Sequence, residues 1–172
     1  PKLNGNSTGR VFLIPSSIKP GEITRVLREG YDAKKLTYGL RRLVDDLALD
    51  VLLIDTHPGL NEETMLSIVI SHTLLVIMRP DQQDFEGTSI TVKVARQLEI
   101  PNMLMIVNKT PPSLSSEAVQ ARVEKAYDCE VAGVLPHSNE MLELASRGIF
   151  SLHYPNDPVT ALYQQIASRV ME

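Results

Sequence analysis

Five short apolar runs, residues 11–14, 51–54, 74–78, 103–107 and 131–135, punctuate a chain that is otherwise patterned at helical spacing. The runs are rich in Val, Ile and Leu and do not alternate with polar residues. Strands buried on both faces of a parallel sheet have this habit. Between the runs, Leu36, Leu40, Leu43, Val44 and Leu47 recur at helical spacing, as do Ile90, Val94 and Leu98. Val119, Val123, Ala126 and Tyr127 form another stripe, and Val159, Leu162, Tyr163, Ile166 and Val170 the cleanest one. Strand and helix alternate throughout. The pattern predicts an α/β fold with three layers, a mostly parallel sheet with helices on both faces, joined by right-handed crossovers. No repeat, low-complexity tract or long linker interrupts the 172 residues, so one domain over 1–172 is expected.

Prolines mark where the runs end: Pro15, Pro58, Pro80, Pro111, Pro112 and Pro136. Proline cannot continue a ladder and turns its neighbour away from helix, so each is a strand-to-loop exit. In open α/β sheets, ligands bind beyond the carboxyl ends of the strands, which directs attention to these loops. Composition narrows the function classes. With 17 basic against 21 acidic residues, the net charge of -4 offers no basic face for phosphate backbones. The single cysteine, Cys129, excludes a disulfide framework and a multi-thiolate metal site. The apolar runs fall far short of the roughly 20 residues a membrane helix requires, and no signal peptide is visible. A cytoplasmic location is expected. Residue 1 is Pro, followed by a polar stretch to residue 10, so the sequence reads as trimmed of a leader or as a piece of a longer chain.

The most informative segment is Asp50-Val-Leu-Leu-Ile-Asp55-Thr56-His57-Pro58-Gly59. A carboxylate at the end of a hydrophobic run can hold magnesium, directly or through water, because magnesium prefers oxygen ligands and keeps several waters. Gly59, with no side chain, can bring its backbone N–H close to a terminal phosphate. On spacing alone, an Asp that caps a loop before a Pro-Gly turn is an equal reading. Asn108 ends another run, and its amide offers a donor and an acceptor that match adenine N7 and N6; alternatively it caps the loop before Pro111. His57 and His137 lack partners at ligand spacing, so variable loop positions describe them better than a metal set. Asn61-Glu62-Glu63 reads as a helix cap with an acidic first turn.

Residues 51–59 resemble the Walker B strand and switch II of the MinD/ParA family of ATPases. The likeness continues in the family's order. Residues 11–16 resemble a strand with an "LP-S" turn, and 74–81 a strand ending in Pro and an acid. Val107-Asn108-Lys109 resembles a strand-end Asn-Arg/Lys pair, 133–136 the "G-x-x-P" strand, and Ala145 to Gly148 an "A-x-x-G" helix end. The resemblance implies ATP and Mg2+ as cofactors. Asp55 would act in catalysis and at the metal, through water, and Gly59 at a phosphate. Asn108 would read the base, with Lys109 beside it at the rim of the nucleotide site, and Pro136, His137 and Ser138 would line the adenine edge. The family often has an acid where Ser138 stands, which leaves ribose contacts to Asn139 or Glu140. Arg79, Asp81 and Asp84 lie near a loop used at the family's dimer face.

One departure is large. No Gly-Lys pair occurs in the chain, so no G-x-x-x-x-G-K-[ST] phosphate loop can be drawn. The sequence resembles the C-terminal two-thirds of a MinD/ParA domain. The implied function is an ATPase that dimerises around ATP and regulates cellular position or partitioning. Its protein partner is unspecified, and neither membrane nor nucleic acid is indicated as a surface. The alternative is a non-catalytic protein-interaction domain that keeps the fold. A Ser-His-Asp hydrolase lacks the G-x-S-x-G elbow. A receiver domain lacks the acidic pair after its first strand, where Pro15-Ser16-Ser17 stands.

Overall fold

A computed structural model describes residues 9–15 and 32–172. The chain forms two compact units, residues 1–52 and 53–172. In the first, helix α1 (Ala33–Leu47) begins at Asp32, whose carboxylate accepts from the backbone N–H groups of Lys34 and Lys35. These are two of the donors a helix start leaves unpaired. It ends at Ala48 in the left-handed region (φ 47°), where the Leu49 N–H returns to Val44 C=O.

The second unit contains α2 (Glu62–Ile70), β1 (Thr73–Met78), α3 (Gln82–Gln97), β2 (Asn102–Thr110), α4 (Ser116–Tyr127) and β3 (Val131–Pro136). It closes with α5 (Asn139–Leu144), α6 (Phe150–His153) and α7 (Pro158–Met171). The strands form a parallel sheet in the order β1-β2-β3. One face carries Val76, Met78, Met105, Val107, Val131 and Val134, packed under Val92 of α3 and Val119, Val123 and Tyr127 of α4. The other carries Ile106 and Leu135 beneath Phe150 of α6 and Val159 and Ile166 of α7. Helices therefore cover both faces, as the alternation of elements predicts. Burying a side chain such as Met105 or Val107, both 0% exposed, contributes about 1.5–3 kcal/mol.

Two register shifts interrupt the β2–β3 ladder. At the first, Met105 pairs with Val131 but Ile106 with Gly133, so Ala132 is extra. This is why Val131 and Val134, three apart, share one face while Ala132 and Leu135 turn to the other. The second shift lies between Val107 and Thr110, at the expected base-binding residues.

Three of the five apolar runs are strands. Runs 11–14 and 51–54 are not: Val11, Leu13 and Leu53 are largely exposed, and neither run joins a ladder. A parallel strand is held by bonds to a neighbour, and among the described residues these runs have none. The α3 stripe is also displaced. Thr88, Val92 and Ala95 are buried, whereas Ile90 is exposed. Small residues let α3 approach the sheet, and a count of large apolar positions misses them.

Candidate functional site

Because the strands are parallel, three loops leave the same edge of the sheet: 79–81 after β1, 111–115 after β2 and 137–138 after β3. The last two are joined. The His137 N–H donates to Thr110 C=O at 3.0 Å, so Asn108, Lys109, Pro136 and His137 are brought together at adjacent strand ends. Asn108 and Lys109 form the bulged step of β2. Lys109 lies in the left-handed region at φ 57°, and its N–H donates to Asn108 Oδ1 at 2.9 Å. A non-glycine residue there is strained, and such strain concentrates at functional sites. Asn108 is half-buried, and Lys109 and His137 are exposed.

Sequence reasoning missed Thr110. It is 3% exposed, and its Oγ1 is buried without a hydrogen-bond partner among the described residues. No sequence signal distinguishes this hydroxyl from an ordinary strand threonine. Ser138 is the cap of α5: its Oγ accepts from the Met141 N–H and donates to Glu140 Oε2. Backbone and Ser138 hydrogen bonds hold the Glu140 carboxyl below its usual range.

Asp55 and Gly59 lie in the exposed segment before α2. Gly59 has φ 98°, open to glycine and strained for other residues. Among the described residues, the Asp55 carboxylate makes no hydrogen bond or ion pair, and the cap of α2 is Asn61, whose Oδ1 accepts from the Thr64 N–H at 2.8 Å. An exposed carboxylate fits magnesium, which takes one or two carboxylates with water and phosphate oxygens. Among the described residues no cluster of three or more His, Cys, Asp or Glu could hold a metal without such help. The His57 carbonyl accepts from Thr64 Oγ1. Among the described residues, neither a hydrogen bond nor an ion pair links Asp55 to the Asn108 loops.

After β1, Asp84 grips Arg79 three times: Oδ2 accepts from its backbone N–H at 2.7 Å and from Nε at 3.3 Å, and Oδ1 from Nη2 at 3.2 Å. Asp81, the cap of α3, adds an ion pair to Arg79 Nε. The Arg79 side-chain bond, with the backbone bond next, holds the Asp84 carboxyl below its ordinary value. The lowered folded value makes this contribution full above about pH 4 and lost as pH falls through the depressed value. Urea midpoints of wild type and Asp84→Asn, separated at pH 7, are expected to converge on acidification. A separation independent of pH would show that the charge pair contributes nothing.

No family model matches the chain. An uncharacterized ATP-binding protein of Methanocaldococcus jannaschii is 23% identical over 162 residues, which are 94% of this chain and 58% of that protein. The MinD cell division protein of Aquifex aeolicus superposes with a TM-score of 0.70 at 16% identity, over 81% of this chain and 61% of its own. MinD in the MinC:MinD complex of the same organism gives 0.69 at 16% identity, over 81% and 59%. The chain thus spans about three-fifths of the length of each relative. Within that span it has the fold of MinD, a parallel sheet between helical layers.

Proposed function

We propose that this chain is the base-binding portion of a MinD/ParA-like ATPase, in which ATP with Mg2+ controls homodimerisation and the docking of a protein partner. The observation that carries the reading is the junction of the β2 and β3 ends. The His137-to-Thr110 bond holds the strained Asn108–Lys109 bulge beside Pro136–His137, at the strand ends where such folds bind ligands. The MinD-like fold and the ATP-binding relative support it. In this reading Asn108 and the Pro136–His137 backbone hold the base, and Lys109 lies at its rim. Asp55 orients the magnesium water shell, and the Gly59 N–H approaches the terminal phosphate. Bound magnesium would stabilise charge that develops on the transferring phosphoryl group.

The test is an NMR titration of the 172-residue chain with Mg-ATP. Shifts are expected at the amides of Asn108, Lys109, Thr110 and His137. Affinity weaker than micromolar and negligible hydrolysis are expected, since a phosphate loop's amides and lysine supply most triphosphate recognition. Unchanged amides at both strand ends under millimolar ATP would overturn the reading.

A further inference from the structure

We propose that the junction of the β2 and β3 ends opens locally and so acts as a gate on the ligand edge of the sheet, parting residues 111–115 from 137–138. As a control on ligand access this rests on the nucleotide reading above; the opening itself does not. The β1–β2 ladder runs through six pairs without a shift, from Thr73↔Asn102 to Met78↔Val107. The β2–β3 ladder differs beyond Val107↔Val134. There Asn108 and Lys109 stand opposite Leu135 alone, and the next pair, Thr110↔Pro136, contains a proline with no N–H to give. Past it the His137 N–H donates to Thr110 C=O at 3.0 Å, and this bond closes the junction.

Closure at this point is costly. Lys109 is held at φ 57°, a region its Cβ disfavours. Its N–H turns to Asn108 Oδ1 at 2.9 Å, a contact within β2 that survives separation from β3. Thr110 is 3% exposed, and among the described residues its Oγ1 has no hydrogen-bond partner. A buried hydroxyl without a partner forfeits the bond it makes with water and regains it on opening. Opening therefore breaks the His137–Thr110 bond and uncovers Thr110, but it hydrates one hydroxyl and frees the Lys109 backbone. Parting the core around Met105 and Val107, both 0% exposed, brings no such return. A ligand that touches both loops holds them together, so closure is coupled to binding.

Hydrogen exchange of the 15N-labelled 172-residue chain, followed by NMR without nucleotide, tests the gate. The His137 amide reports the junction, and the Met105 amide, which donates to Glu130 C=O at 2.8 Å, reports the core. Corrected for intrinsic rates, His137 is expected to exchange about tenfold faster than Met105 or more, and to respond little to low urea, because a local opening exposes little surface. Thr110→Val keeps the shape and removes the hydroxyl, so His137 exchange is expected to slow about tenfold. Lys109→Gly removes the strain and is expected to slow it about threefold. His137 exchanging at the Met105 rate with the same urea dependence would overturn the proposal, since the junction would then open only with the whole unit. Exchange in Thr110→Val as fast as in wild type would overturn it too, because the hydroxyl would then be satisfied by an ordered water. Millimolar Mg-ATP is expected to slow His137 exchange about threefold or more in the wild type. Shifted amides without that slowing would overturn the role in access while the nucleotide reading stands, and unshifted amides would overturn the reading itself.

Discussion

Gly133→Ala is expected to destabilise the 53–172 unit by about 1–3 kcal/mol, the range for overpacking a well-packed site. A Cβ at Gly133 would lie 2.6 Å from Ile166 Cγ1 and 2.7 Å from its Cδ1. Ile166 is 7% exposed and packs with Ile106 and Leu135, so its side chain cannot swing into solvent. Replacing Gly by Ala also restricts the unfolded chain, which favours folding by about 0.4–1 kcal/mol, but the overlap is the larger effect. Gly148 offers the contrast. The nearest atoms to a Cβ there belong to the ring of exposed His153, which can move aside. A double-mutant cycle decides the matter. Ile166→Ala alone should cost about 2–5 kcal/mol. In Gly133→Ala/Ile166→Ala the added methyl enters vacated space, and the combined loss should fall short of the sum by about 1 kcal/mol or more. Additive urea midpoints would show that α7 does not rest on the β3 bulge.

On the ATPase reading proposed above, Asp55→Asn in a protein that carries a phosphate loop as well is expected to lower ATP turnover about 10- to 100-fold, the usual effect of a group that acts on a metal through its outer shell. Nucleotide affinity should change much less, because magnesium chiefly stabilises charge that develops in the transition state. Stability should be unchanged. Asp55 is exposed and caps no helix among the described residues, and the start of α2 is held by Asn61. Hydrolysis rate, ATP affinity and a thermal melt, measured side by side, check all three. Undiminished turnover would remove Asp55 from the site and leave the likeness to MinD as one of fold.

The C-terminal stripe illustrates how location gives meaning to a pattern. Val159, Leu162, Tyr163, Ile166 and Val170 are amphipathic and could serve a membrane surface, although Arg169 is the only basic residue of that helix. The structure spends this face on the sheet, through Val159 and Ile166, and ties Arg169 to Glu130 at 2.6 Å. Among the described residues, no helix is long and apolar enough to cross a membrane.

By itself the sequence determined the class of fold, three of the strands and the loops in which to look. Short unbroken apolar runs followed within a few residues by proline match strands buried on both faces of a parallel sheet. Asn108, Lys109, Pro136 and His137 were legible as strand-end residues for that reason. Tertiary structure decided the rest. Runs 11–14 and 51–54 share the composition of the strands yet join no ladder among the described residues, because pairing belongs to two segments and composition to one. Two bulges in the β2–β3 ladder exchange which residues face α4 and α7. The second bulge turns the Asn108 oxygen to its neighbour's N–H and, among the described residues, leaves the Thr110 hydroxyl buried without a partner. Those features depend on register and left-handed backbone, and a pattern read along one strand has no access to the strand beside it.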